Sequence, residues 1–238
     1  MNYLRGIRLR EMPPENSYLY NLPLVRHLMS RNSLDFKAPV TFLVGENGTG
    51  KSTLLEGIAV AMGFNAEGGS RDFRFSTRDS HSDLYKYLTT IKTKTPKDGF
   101  FLRAESFYNT ASYLEENSSM RRYGGTSFHS QSHGEAFLSL VLNRFEGSGL
   151  YLLDEPEAAL SPQRLMSRIA ALDRIVKNNS QFIISTHSPI LMAYPDSEIL
   201  QLSENGIEKV SYSDTEHYKI TKQFIEMPER MIKLLLEE

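Results

Sequence analysis

The sequence predicts an α/β protein built on a mostly parallel central sheet, and three stretches carry that prediction. In the first, Val40-Thr41-Phe42-Leu43-Val44 reads as a buried strand and Gly45 to Gly50 as a tight loop, after which Leu54, Leu55, Ile58, Ala59 and Met62 recur at helical spacing. The second and third are the apolar runs Leu150-Tyr151-Leu152-Leu153 and Gln181-Phe182-Ile183-Ile184, each ending on polar or charged residues. Runs without polar alternation fit strands covered on both faces, as in a parallel sheet with helices on either side. A chain of 238 residues is long enough for one such domain, 1–238, with a substantial core and a small subdomain.

The remaining elements follow in chain order. Tyr3 to Arg10 alternates apolar and basic residues and reads as a half-exposed strand opening an outer sheet, the antiparallel part of the fold. Residues 12–32 contain Pro13, Pro14 and Pro23 and read as loop with short helical pieces. Tyr18 and Tyr20 in that region either pack under the sheet, the commoner fate of such tyrosines, or stack on a base. Between Gly68 and Arg78, Arg71, Arg74 and Arg78 interleave with Phe73 and Phe75. A solvated loop with inward aromatics is favoured there over a phosphate or nucleic-acid contact. Lys92, Lys94 and Lys97 read as solvated surface in a turn-rich stretch. Gly99 to Ala104 is a strand, 106–116 a helix and 117–126 a polar loop. A second helix runs through Ala136 to Leu142, and Ser161-Pro162 starts a third, with Ser as cap and Pro at the first helical position. Residues 199–202 and 206–210 form a closing hairpin, and 214–238 one or two terminal helices.

Composition sets the chemical boundaries. With 40% apolar and 24% charged residues the chain has the make-up of an ordinary soluble protein. It carries neither a signal peptide nor an apolar run long enough to span a bilayer, so the expected location is the cytoplasm. Cysteine is absent, which excludes disulfides, thiol catalysis and cysteine-ligated metal centres. A net charge of −2 gives no global sign of a nucleic-acid binder.

The run from Gly45 to Thr53 satisfies the phosphate-loop pattern G-x-x-x-x-G-K-[ST] without substitution, between a strand and a helix. Backbone N–H groups of Gly45, Asn47, Gly48, Thr49 and Gly50 would wrap nucleotide phosphates, helped by the positive end of the helix dipole. Lys51 would neutralise the β- and γ-phosphates, Ser52 would offer its hydroxyl to Mg²⁺, and Thr53 is placed for the α-phosphate. Downstream, Asp154 and Glu155 close an apolar strand. Asp154 would hold the Mg²⁺ shell and Glu155 would polarise the attacking water. His187, after the 181–186 strand, falls at the same sheet edge and is assigned to the γ-phosphate. Ser132 and Glu135 form S-x-x-E at a helix start. That pattern is a capping box, and with Gly134 between them it can also receive a phosphate.

With these motifs in order, the chain resembles the ATP-binding-cassette ATPases, specifically the small soluble ATPases labelled AAA-family near the RecF and structural-maintenance-of-chromosomes branch. The resemblance rests on Gly45 to Thr53, the signature-like Ser132-His133-Gly134-Glu135, Leu150 to Glu155, the D-loop-like Glu157-Ala158-Ala159-Leu160-Ser161, and His187. It implies Mg-dependent ATP hydrolysis with Lys51, Glu155 and His187 at the chemistry, and a helical and signature subdomain within about residues 66–145. It also implies that Ser132 and Gly134, and with them Glu135, act on the nucleotide of an opposite subunit, so that a head-to-tail homodimer sandwiches two ATPs. The signature departs from the transporter pattern at His133 and Glu135, and Glu105 stands where a glutamine is usual. Lys51 and Ser132 lie too close for a coiled-coil arm, and no nuclease segment follows His187. The expected function is therefore ATP turnover as a conformational switch, with DNA or an effector protein as partner by family association. The alternatives are a transporter ATPase subunit, which would need a groove for a membrane partner and is disfavoured by Glu135 and the short intervening region, and a nucleotide-gated binding module.

Overall fold

Strand β1 (Leu4–Leu9) is the middle of a three-stranded antiparallel sheet, flanked by β2 (Leu34–Asp35) and β4 (Leu88–Lys92). A 3₁₀ turn at Tyr18–Asn21 and helix α1 (Pro23–Arg31) fill the connection from β1 to β2. The second sheet has six strands in the order β5, β6, β7, β3, β8, β9. Its members are β3 (Val40–Val44), β5 (Asp98–Arg103), β6 (Gly149–Asp154), β7 (Gln181–Ser185), β8 (Glu198–Ser203) and β9 (Gly206–Val210). Every neighbouring pair is parallel except β8 with β9, the closing hairpin. This computed structural model describes residues 2–71, 81–117, 125, 127–131, 133–158 and 160–236.

Helices cover the six-stranded sheet on both sides, and the two-residue period of each strand decides which side a residue meets. Phe42, Phe100, Tyr151, Leu153, Phe182 and Ile184 join one core, under α4 (Phe107–Asn117), α5 (His133–Arg144), α6 (Pro162–Lys177) and α7 (Pro189–Met192). Their neighbours Leu43, Phe101, Leu150, Leu152 and Ile183 join the other, under α1, α2 (Lys51–Ala61) and the antiparallel sheet. The strands are apolar on both faces because both faces are roofed. Phe145 stacks on Tyr151 with ring centroids 4.1 Å apart. Ser161 caps α6 by accepting the Arg164 N–H at 3.4 Å, with Pro162 at its first position, as the sequence predicts.

The antiparallel sheet contains two strands absent from the sequence prediction, β4 and the two-residue β2. Lys92 and Lys94 are exposed, as expected, but Lys92 ends β4, which follows the one-turn helix α3 (Leu84–Tyr87). The run carries the β-branched residues Thr89, Thr90 and Ile91, which favour extension, and pairing with β1 from Leu4 to Leu9 completes the strand. The terminal helices are α8 (Glu216–Glu226) and α9 (Pro228–Leu236), neither of which has a buried residue. Among the described residues, no helix is long and apolar enough to cross a membrane.

Because five strands run parallel, their C-terminal ends, Val44, Arg103, Asp154, Ser185 and Ser203, lie along one edge. That edge is where a parallel sheet presents side chains to a ligand.

Candidate active site

The loop after β3 is shaped by three glycines at positive φ, namely Gly45 at +141°, Gly48 at +85° and Gly50 at +92°. A Cβ on Gly45 would stand 2.2 Å from the carbonyl oxygen of Leu202, so no other residue fits there. Gly50 is the N-cap of α2 and supplies no side-chain acceptor, which leaves the first helical N–H groups to an external anion. Thr49 closes the loop by donating its N–H and its hydroxyl to the Glu46 carbonyl, at 3.4 and 2.8 Å. Asn47 and Gly48 form the exposed tip, and Thr53 is half-buried in the first turn of α2.

Lys51 is buried, at 4% exposure, and its ammonium donates to the carbonyls of Gly45 (2.7 Å) and Glu46 (2.9 Å). Burial lowers its pKa, opposed by the negative field of Glu155, Asp154, Glu46 and Glu157. The loop's own carbonyls thus hold the cation in place on the edge where the acids converge.

Beneath the loop, Ser52 Oγ donates to Asp154 Oδ1 at 3.1 Å, joining α2 to the end of β6. Burial raises the Asp154 pKa to about 6, although Arg103, Ser185 and Ser52 all favour its charged form. Arg103 Nε lies 3.8 Å from Asp154 Oδ2, while the same guanidinium binds Glu56 Oε2 at 2.5 Å and Glu105 at 3.3 Å. Neither Arg103 nor Glu56 stands out in the sequence. Their pairing depends on α2 crossing the sheet above β6, which no local pattern announces. Glu105 carries an 84% exposed side chain whose partner is Arg103, the residue that also approaches Asp154.

Glu155 has a left-handed backbone, φ +50°, fixed by its N–H donating to the Ser185 carbonyl at 2.9 Å. A non-glycine residue in this region is held there by its surroundings, and such outliers concentrate where function needs an odd geometry. Its carboxylate Oε1 lies 3.9 Å from His187 Nε2. Glu157 accepts the backbone N–H of His187 at 2.5 Å, so the D-loop-like segment and the residue after β7 are tied together. Burial raises the pKa of Glu157, and Arg168, itself buried and depressed to about 9, lies in its field. His187 Nδ1 meets His217 Nε2 of α8 at 2.9 Å, a contact the sequence reading does not anticipate. Burial, then Lys51, lowers the pKa of His187.

The structure therefore gathers Lys51, Ser52, Asp154, Glu155 and His187 on one sheet edge. Ser132 lies outside the described residues, and Gly134 is the second residue of α5. Glu135 in the first turn of α5 pairs with Arg164 of α6 at 2.7 Å, both side chains being substantially exposed. Ala159, Arg74, Arg78 and most of the 117–126 loop also lie outside the described residues. Arg71 is described and sits 5.4 Å over the Phe64 ring. Tyr18 does not pack under the sheet: it is 61% exposed and donates its hydroxyl to Ser82, while Leu19 takes the buried position beside it.

The donor set at Ser52 and Asp154 fits Mg²⁺. Both atoms are hard oxygens, and among the described residues no cluster of three His, Cys, Asp or Glu side chains could hold a metal alone. Few protein ligands, supplemented by water and substrate phosphates, is the usual Mg²⁺ arrangement.

Comparison with known proteins bears on the fold that carries this edge. An AAA-domain family model matches residues 26–99, and a second, described as "AAA domain, putative AbiEii toxin, Type IV TA system", matches residues 124–193. The ABC transporter G family member STR2 of Medicago truncatula is 29% identical over 64% of this chain, which spans only 24% of that protein's length. Among solved structures, cbiO1 from Clostridium perfringens, part of the ABC transporter complex cbiONQ, superposes with a TM-score of 0.52 at 16% identity, covering 98% of this chain and 99% of that one. The SMC head domain from Thermotoga maritima superposes at 0.50 with 17% identity, covering 88% and 100%. The shared fold, a mostly parallel sheet with an antiparallel sheet and helices, is that of the P-loop ABC ATPases.

Proposed function

Starting from a P-loop ATPase of ABC-type fold, we propose that this chain binds Mg-ATP at Gly45–Thr53 and uses hydrolysis to open and close a head-to-tail homodimer. The observation that carries the reading is the convergence of Lys51, the Ser52–Asp154 hydrogen bond and the Glu155–His187 pair on one edge of the sheet. Phosphates entering the loop would exchange the Gly45 and Glu46 carbonyls for anionic oxygens at Lys51, a stronger charge-assisted contact. Mg²⁺ held by Ser52 and Asp154 would neutralise charge developing on the transferred phosphoryl group. That cation would also favour the charged form of Asp154, which burial otherwise disfavours.

Glu155, half-exposed and turned out of the strand by its left-handed backbone, is the base that orients and polarises water. His187 then contacts the γ-phosphate from the neighbouring strand end. Ser132, Gly134 and Glu135 act across the dimer on the partner's nucleotide, and the helical and signature segment within 66–145 carries them. Loss of the γ-phosphate releases the partner. Location in the cytoplasm and a DNA or effector-protein partner complete the reading. A second reading, the ATPase subunit of a transporter, draws on the similarity to STR2 and cbiO1.

Substituting Glu155→Gln tests the mechanism, because the side chain keeps its size and loses the charge that activates water. Hydrolysis should fall about a thousandfold with ATP affinity retained, and the variant should dimerise in Mg-ATP by light scattering. Residual turnover near wild type, or a monomer in Mg-ATP, rejects the proposal. Turnover of the wild type with duplex DNA and with liposomes separates the two contexts. Stimulation by DNA that fades with salt supports the first, and stimulation by liposomes alone supports the transporter reading.

A further inference from the structure

Helix α8 sends one side chain into the catalytic edge. Its N-cap Thr215 is fully buried, donates its hydroxyl to the Tyr212 carbonyl at 2.9 Å and accepts the Tyr218 N–H at 3.3 Å. These bonds fix the first turn, which contains His217. The two imidazoles meet through His187 Nδ1 and His217 Nε2 at 2.9 Å, with ring centroids 5.0 Å apart and planes at 57°. A contact of that length needs a proton between the nitrogens, since two lone pairs would repel and two N–H groups would clash.

With both rings neutral, the form that burial favours in each, two arrangements satisfy it. In one, His187 donates from Nδ1 and its Nε2 carries only a lone pair. That lone pair would face the Glu155 carboxylate at 3.9 Å, and Nε2 is buried without a hydrogen-bond partner. A lone pair on the buried Nε2 would then oppose the carboxylate with no donor to satisfy it, and an anionic phosphate would worsen the opposition. In the other, His217 donates from Nε2 to His187 Nδ1, which puts the His187 proton on Nε2, facing the acid and any phosphate. The charges facing this pair are Lys51 on α2, Glu46 in the loop, Glu155 after β6 and Glu216 on α8.

We infer that His217 is a positioning residue that sets the tautomer of His187, holding a proton on Nε2 where the γ-phosphate is sensed. This deepens the ATPase reading and rests on it. A ring nitrogen's partner commonly dictates which nitrogen of a histidine carries the proton. A site completed by α8 also makes turnover responsive to whatever moves that helix, whose side chains otherwise lie at the surface.

Three variants test the inference: His217→Ala, His217→Gln and the double variant with His187→Ala. Loss of the donor should lower kcat about tenfold with KM changed less than about twofold, a scale usual for partners that orient an active histidine. The Gln amide can donate from a similar distance and should recover most of kcat. Removing His217 from a His187→Ala background should cost nothing further, because the two act as one unit. Nitrogen-15 NMR of imidazole tautomers in the wild type should show His187 protonated on Nε2, a distribution that shifts in His217→Ala. Unchanged kcat in His217→Ala, a Gln variant as slow as Ala at equal Tm, additive losses, or an Nδ1–H tautomer in the wild type would each overturn the inference. The NMR arm needs no turnover, so it separates failure of this inference from failure of the ATPase reading.

Discussion

The two ends of the parallel sheet treat buried charge in opposite ways. At the N-terminal end, Asp98 accepts from Arg144 Nη1 at 2.7 Å, from the Tyr151 hydroxyl at 2.7 Å and from the Glu146 N–H at 3.2 Å. Gln181 accepts the N–H groups of Tyr3 and Leu4 and donates to the Leu4 carbonyl, all at 2.8 Å, which locks the antiparallel sheet to the parallel one. Glu198 accepts the Lys37 N–H at 2.9 Å and pairs with Lys209 at 3.3 Å. At the C-terminal end, Asp154 is raised to about 6, Glu155 is held at a left-handed φ, and His187 Nε2 has no hydrogen-bond partner. Buried polar groups are normally satisfied, so the contrast separates an end that holds the fold from an end kept ready for a charged ligand. One carboxylate makes the contrast plain: burial pushes Asp98 up, yet Tyr151 and Arg144 outweigh it and its pKa falls below the ordinary value, whereas Asp154 ends above it.

The largest expected effect at the structural end comes from Asp98→Ala. It withdraws the acceptor from the Arg144 guanidinium and the Tyr151 hydroxyl in a buried setting, which costs about 3 kcal/mol. Chemical denaturation should report that loss, while ATP affinity per folded molecule stays as it was. Since the Asp98 pKa is depressed on folding, its stabilisation is present above the unfolded carboxylate range and is lost as pH falls through the lower folded value. A variant with unchanged stability would remove the distinction between the two ends.

Asp154→Asn should act in the opposite direction. A rise from 3.8 to about 6 corresponds to about 3 kcal/mol of cost at neutral pH, an upper bound because Arg103 keeps Glu56 and forfeits the nearby Asp154 charge. The ligand-free variant should therefore melt higher than wild type at pH 7 and lose Mg-dependent turnover. With the folded pKa above the unfolded one, the Asp154 contribution to stability declines as pH rises from about 4 to about 6. Melting curves of both proteins across that interval should converge at its acid end. A variant that melts lower at pH 7 would show that Asp154 is a structural acid like Asp98.

Much of this organisation is legible in the sequence, for reasons that are local. The loop needs glycine where φ is positive, the strands are apolar on both faces, and Ser161-Pro162 caps a helix, so Gly45, Phe42 and α6 all announce themselves. Other features depend on where distant segments land. Arg103 reaches Asp154 and Glu56 only because β5 pairs with β6 and α2 lies across them. Strand β4 has a favourable local signal in Thr89, Thr90 and Ile91, but it is too short and too close to a lysine-rich turn to stand out until β1 offers it a partner. His217 stands thirty residues beyond His187 in a helix with no motif, and its partnership is a product of tertiary packing.

The smallest expected effect sharpens the comparison most, because it asks whether the C-terminal end carries strain. Of the non-glycine residues at positive φ among the described residues, Asn32, Asn179 and Asp196 are of types that tolerate the left-handed region, and Ser148 is small, whereas Glu155 is neither. Its conformation is imposed by the bond from its N–H to Ser185 and by the turn that follows, where Ala158 N–H donates to its carbonyl at 3.1 Å. Replacing it with glycine keeps both bonds and removes the Cβ penalty. Glu155→Gly should therefore raise stability by up to about 1 kcal/mol, reduced by the added entropy of the unfolded chain. Turnover should fall at least as far as in Glu155→Gln, since the carboxylate is gone in both. A fall in Tm would mean that the Glu155 side chain stabilises the sheet edge, which would place it with Asp98 rather than with the catalytic groups. A rise in Tm with loss of turnover would show that this position is chosen for chemistry at the expense of fold stability.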